Sequence, residues 1–318
     1  MGSSRVEAAS ERYAATTNAP RTSAMLDEPG RINGTHLAFL CLSPAAAALG
    51  LAIYVYHEGF AWLDAGAFVL MYVLTGLAIS GGYHRYYAHR TYKCHRAVQI
   101  FYALFGAAAL QAPVLDWAAE HRDHHRFVDH DRDPYCIKKG FFWAHIGWIL
   151  YQPPAYRADL ATVPDLVDDP LLVFQKKHYR ALALLMGFGL PFLLGALWGR
   201  PVGALIWGGL LSLALSHHCT FLINSAAHTF GSQPYSSENT ARDSWVVALF
   251  TMGEGYHNFH HAYPRDFRTG VFWYQWDPTK WWILALKAVG LASDLKQIPL
   301  SRIRAHLSGP GRLGTAGQ

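Results

Sequence analysis

Four long apolar stretches constrain this chain more than any other feature. Residues 36–56 are apolar apart from Ser43 and one proline, and residues 60–82 are apolar except for Asp64. Two more stretches, 181–199 and 202–223, are divided by Gly199-Arg200-Pro201. A helix needs about 20 such residues to cross a bilayer, and each stretch approaches or exceeds that length. In lipid a separate segment can satisfy its backbone polar groups only as a helix, so the four stretches predict four transmembrane helices. The composition agrees, with 52% hydrophobic and 15% charged residues, whereas a soluble protein carries about one quarter charged.

The basic residues predict the orientation. Four precede the first stretch, 13 lie between Arg85 and Arg180, nine follow Ile223, and the two short outer loops share only Arg200. Positive residues stay on the cytoplasmic side, so both termini and all three large polar segments are expected there. The net charge of +5 and pI near 9.0 come from residues interleaved with apolar runs. That pattern suits anionic lipid or an anionic substrate and argues against nucleic acid as a partner. A fifth apolar run, 97–115, would carry the histidines after it across the membrane if it spanned. It is read as a buried or interfacial helix ending near Gln111 and Pro113. The run 281–292 is too short to span and is expected at the interface. Cys41, Cys94, Cys136 and Cys219 form no paired motif and indicate neither disulfides nor a zinc finger.

Chemistry enters with histidine. His121, His124 and His125 stand at i, i+3 and i+4, so on a helix their imidazoles share a face about 5 to 6 Å apart and can converge on one ion. The same spacing returns at His257, His260 and His261. His84 and His89 form a looser box after the second stretch; an i, i+5 pair is about 140° apart on a regular helix, so both face one site only if the helix ends there or takes a π-type turn. His228 follows the fourth stretch, with Asn224 one turn earlier and placed to hold a metal-bound water. Nine neutral ligands suit two ions better than one, since a transition metal takes about four to six donors. Asp116, Glu120, Asp123, Asp129 and Glu254 lie near the boxes and are expected to orient the imidazoles. The fold class that follows is all-α: a polytopic membrane protein with four transmembrane helices and a cytoplasmic helical cap holding a His-rich dimetal centre.

The segments HRYYAH, EHRDHH, NSAAH and EGYHNFHH, with HRTYK at His89 to Lys93, resemble the membrane fatty acyl desaturases of the stearoyl-CoA type over residues 36–294. The resemblance implies a di-iron (Fe2+) centre, O2 as co-substrate, and a cis double bond placed at carbon 9 of a saturated acyl chain. The metal set it implies is His84, His89, His121, His124, His125, His228, His257, His260 and His261, with Asn224 acting through water. The implied partners are a saturated acyl thioester, with acyl-CoA favoured, or an acyl lipid, and a separate electron donor such as cytochrome b5 or ferredoxin. Ala119 and Tyr151-Gln152-Pro153-Pro154 depart from the animal acyl-CoA members, which bears on the carrier. A saturated tail can be measured only by a closed apolar tunnel. Tyr72, twelve residues and about 18 Å of helix before His84, is expected as its end.

The expected organisation is a mobile, uncleaved tail over residues 1–34, a membrane domain over 35–294 with cap segments 83–180 and 224–294, and a C-terminal tail over 295–318. A bacterial-type member in the bacterial inner membrane is favoured over one in the endoplasmic reticulum. Two other readings stay open: a His-rich di-iron hydroxylase of alkyl or lipid substrates, and a membrane metal transporter or sensor, whose ligands would sit at mid-depth in the spans.

Overall fold

The computed structural model describes residues 31–153 and 156–308. The expected N-terminal tail falls almost wholly outside the described residues, as do residues 309–318.

Among the described residues, four helices are long and apolar enough to cross a membrane. They are α1 (Gly34–Glu58), α2 (Trp62–Ala88), α6 (Tyr179–Ala196) and α7 (Pro201–His228). Asn33 starts α1 by accepting hydrogen bonds from the Thr35 and His36 amides, which satisfies two of the unpaired donors at a helix N-terminus. Leu42, Leu49 and Ile53 of α1 point outward, as helices solvated by acyl chains do. Helix α2 runs six residues past the expected end at 82, and α7 runs five past 223. Hydropathy falls at His84, Arg85, Asn224 and His228, but these polar side chains face protein, so the helices continue.

The last part of α2, Ala78–Ala88, is π-helical. The His89 amide donates to the His84 carbonyl at 3.1 Å, an i to i+5 bond that brings the two rings to 4.8 Å. Close packing holds this wider turn. Gly82 lies against the Tyr102 ring and Gly106 against the Tyr83 ring, where a Cβ would overlap the aromatic carbons.

Tyr102 and Gly106 belong to α3 (Arg96–Ala108). At 13 residues it is about 20 Å long, well short of a bilayer core. Its buried face, Val98, Tyr102, Ala103 and Ala107, packs on α2. The chain then breaks at Leu110, whose φ is +50°, before α4 (Val114–Phe127). The cap is completed by α5 (Pro170–Lys177), α8 (Trp245–Phe250), α9 (His257–Ala262), α10 (Pro278–Ala288) and α11 (Leu300–Leu307). The one sheet among the described residues pairs β1 (Lys93–Cys94) with β2 (Ala292–Ser293) antiparallel. The main core, with Tyr83, Tyr87, Tyr92, Tyr102, Leu115, Leu172 and Ile283, fills the space where α2, α3, α4, α5 and α10 meet.

At the opposite end, Asp64 is fully buried. It accepts from Trp198 Nε1 at 3.0 Å and Arg200 Nε at 2.8 Å, while Arg200 also donates to the Glu58 and Gly59 carbonyls. The only Lys or Arg of the two short interhelical loops therefore ties both loops together and accounts for the lone charge in the second apolar stretch.

The expected boundary at 294 does not match the packing. The Phe267 amide donates to the Lys296 carbonyl, and Ile303 of α11 is fully buried beside Tyr235, Phe259 and Val271. Residues 295–308 are part of the cap, because α11 has an apolar face that the polarity of its remaining residues hides. A test of the close packing is Gly106→Ala, which forces a methyl into the ring of Tyr83, itself pinned by Gln175 Nε2 at 2.6 Å. Overpacking of this kind costs about 1–3 kcal/mol, so the melting temperature in detergent should fall; an unchanged melt would refute the contact.

Candidate dimetal centre

Four elements that end near one another supply the histidines. The His121, His124 and His125 imidazoles leave α4, His257, His260 and His261 leave α9, and the ends of α2 and α7 add His84, His89 and His228. They sort into two groups: His84, His89, His121, His125 and His260 in one, His124, His228, His257 and His261 in the other. The ligand nitrogens within each group lie within 4.8 Å of one another. The expectation that one HxxHH box converges on one ion needs correction. Successive helical residues turn by about 100°, so i and i+4 are about 40° apart while i+3 falls about 60° to the other side. Each box gives its i, i+4 pair to one group and its middle histidine to the other.

Spacing tests whether a metal fits. Nitrogens bound at about 2.1 Å to one ion, at angles between 90° and tetrahedral, stand about 3.0 to 3.4 Å apart. In the first group the Nε2 atoms of His84 and His260 are 3.0 Å apart, those of His89 and His121 2.8 Å, and those of His125 and His260 2.9 Å. In the second, His124 to His261 is 3.3 Å, and His228 to His257 and His257 to His261 are each 3.1 Å. Burial, with neighbouring imidazoles second, pushes protonation of His89, His121, His125, His257, His260 and His261 well below the ordinary range. The rings are therefore neutral and present lone pairs, the form a transition metal binds.

A cavity of about 1070 Å³ passes this centre. It is lined by Lys176, Lys177 and Arg180 where α5 meets α6, by His84, His121, His124 and His257, and by Tyr72, Gly76, Cys219 and Met252, the first three of these on the spans. The Tyr72 hydroxyl donates to the Phe250 carbonyl and lies 3.3 Å from Cys219 Sγ. The Trp117 ring stacks on His121 at 5.0 Å, and its Nε1 reaches Gln111, which in turn donates to Thr220. Asn224 also lines the cavity.

The model of the fatty acid desaturase family matches residues 60–289. The chain belongs to the fatty acid desaturase family. Among curated desaturases it is 42% identical over 237 residues to a probable acyl-CoA desaturase of Schizosaccharomyces pombe, covering 74% of this chain and 50% of that one. It is 42% identical over 241 residues to acyl-CoA desaturase 1 of Saccharomyces cerevisiae, covering 75% and 47%. With an sn-1 stearoyl-lipid 9-desaturase of Anabaena variabilis the identity is 34% over 249 residues, covering 78% and 89%. The chain thus spans about half the length of the two fungal desaturases. With fungal and cyanobacterial proteins among these relatives, the similarity does not carry the expected bacterial grouping.

Of the five acids expected to orient the desaturase histidines, Glu254 touches an imidazole, with Oε2 3.1 Å from His84 Nδ1. Burial opposes its ionisation, but Arg85 and His84 pull its pKa down to about 2. Asp129 reaches His228 through Thr240. The other three do not join: Asp116 pairs with Lys176 at 2.7 Å, Glu120 is bonded by Tyr156 and raised by burial, and by Asp116, to about 8, and a buried Asp123 oxygen has no hydrogen-bond partner among the described residues. They lie on α4 beside the ligands but on turns that face α5 or the Tyr156 segment. Sequence reading missed Asp133, whose Oδ1 is 2.9 Å from His124 Nδ1, and Arg85. Asp133 stands in the same aspartate-rich loop as Asp129, a signal that loop closure alone makes readable. The Arg85 fork bridges Glu254 and Asp277, all three buried. Arg85→Met leaves two buried carboxylates without a counter-charge, which costs about 3–5 kcal/mol. Little folded protein should survive size exclusion in detergent; normal yield and melting would show the bridge to be dispensable.

Proposed function

We propose that this chain is an oxygen-dependent acyl desaturase that introduces a cis double bond at carbon 9 of a saturated acyl chain. The supporting observation is the cavity, which basic residues, histidines of both imidazole groups and Tyr72 all line. All nine histidines serve as ligands in this reading, and Asn224 holds a water on the four-histidine ion. Two bound Fe2+ ions with O2 supply the oxidising power to break unactivated C–H bonds, which side chains cannot supply. The protein's own part is to hold an unbranched chain straight past the centre and exclude water from it. Trp117, packed on His121, walls the reacting segment, and Tyr72 stops the methyl end, so the carbon opposite the metals is set by length.

The fungal relatives' names favour acyl-CoA as the carrier, whereas the cyanobacterial relative's name specifies a lipid-bound chain. Lys176, Lys177 and Arg180 suit the phosphates of either. Electrons come from a separate carrier such as cytochrome b5 or ferredoxin. The basic-residue distribution supports a cytoplasmic centre with both termini on that side, and residues 35–308 form the working unit.

Expression in a desaturase-deficient host, followed by mass spectrometry of double-bond position, tests this. A carbon-9 alkene should accumulate and vanish in His124→Ala; an alcohol at the same carbon would instead mark a hydroxylase. Tyr72→Ala should shift the preference toward chains longer than those the parent accepts, and an unaltered chain-length profile would remove Tyr72 as the stop.

A further inference from the structure

We infer that the two metal positions are braced by separate polar systems, so that each ion is held and lost independently of the other. This rests on the dinuclear reading above. The five-histidine position leans on Glu254. Its Oε2 stands 3.1 Å from His84 Nδ1, and its Oε1 accepts from Ser80 Oγ and from Arg85 Nε at 3.0 Å. Ser80 is in turn 2.7 Å from the Thr279 hydroxyl, and Arg85 is fixed by Asp277. This system belongs to α2, α10 and the turn carrying Glu254.

The four-histidine position leans on the loop after α4. Asp133 Oδ1 is 2.9 Å from His124 Nδ1 and accepts from the Tyr135 amide, while Oδ2 accepts from the Asp129 amide at 3.2 Å. That amide belongs to a residue with φ of +65°, a left-handed conformation that Asp tolerates better than most. Held this way, the Asp129 carboxylate receives both the hydroxyl of Thr240 at 2.6 Å and its amide at 2.7 Å. Thr240 Oγ1 is also 2.8 Å from His228 Nδ1. Its single hydroxyl proton goes to Asp129, so toward His228 the oxygen only accepts. His228 must then carry its proton on Nδ1, which leaves the Nε2 lone pair facing His257 and the ion position. Thr240 is a positioning residue: it fixes the tautomer of a ligand it never shares with the metal. Among the described residues no side chain belongs to both systems.

Removing an outer partner of a ligating histidine costs about 10–100-fold in metal affinity, so the braces can be read as iron retention. The full chain, purified in detergent and loaded with Fe2+, is dialysed against a ferrous chelator at a concentration that the parent withstands, and iron per chain is measured. The parent should keep about two ions, Thr240→Val about one, and Thr240→Ser, which restores the hydroxyl, about two again. Glu254→Gln should also keep about one. Two double variants decide independence: Thr240→Val with Asp133→Asn damages one brace twice and should still keep about one ion, whereas Thr240→Val with Glu254→Gln should keep almost none. Equal retention in the two doubles, loss of both ions in Thr240→Val, or a Thr240→Ser that empties like Thr240→Val would overturn the inference. A parent chain that binds no iron at all would instead defeat the dinuclear reading beneath it.

Discussion

One hydrogen bond, from the His89 amide to the His84 carbonyl, governs how the centre is assembled. On a regular helix the two rings would diverge by about 140°. The π-type turn closes that angle, and it is held open by Tyr102 and Tyr83 packing where Gly82 and Gly106 leave room. The same turn points Arg85 inward, where its guanidinium bridges Glu254 and Asp277. Ring convergence, the buried charge network and the seating of α3 are therefore parts of a single packing solution. A spanning helix is well suited to carry it, because a bilayer holds the helix rigid up to the point where it enters the cap.

Each HxxHH box contributes to both ion positions, which makes α4 and α9 shared walls of the centre. Neither position can be built by one helix, and shifting either helix by a residue would disorder both groups. Between these walls and the spans lies the cavity of about 1070 Å³, lined by polar and apolar side chains alike.

Much of this was legible in the residues. Four apolar stretches placed the helices to within six positions, and the i, i+5 spacing at His84 required the helix either to end or to take a π-type turn, of which the structure has the π-type turn. The failures share a cause. Asp133, Thr240 and the Phe250 carbonyl act across space, from loops or neighbouring elements whose return paths have no periodic pattern. Asp116, Glu120 and Asp123 are adjacent in sequence to the ligands, yet adjacency on a helix does not fix the face. Residues 295–308 looked like a tail because α11 is short and mostly polar, although Ile303 anchors it.

The link between Arg200 and Asp64 at the far end of the spans has a mechanical consequence. It fastens the α1–α2 hairpin to the α6–α7 hairpin by charge, with the Asp64 side of the pair fully buried. The bundle is thereby built like a pair of tongs joined at the end away from the histidines. Any opening of the two hairpins relative to one another has to be taken up at the opposite tips, beside the histidines.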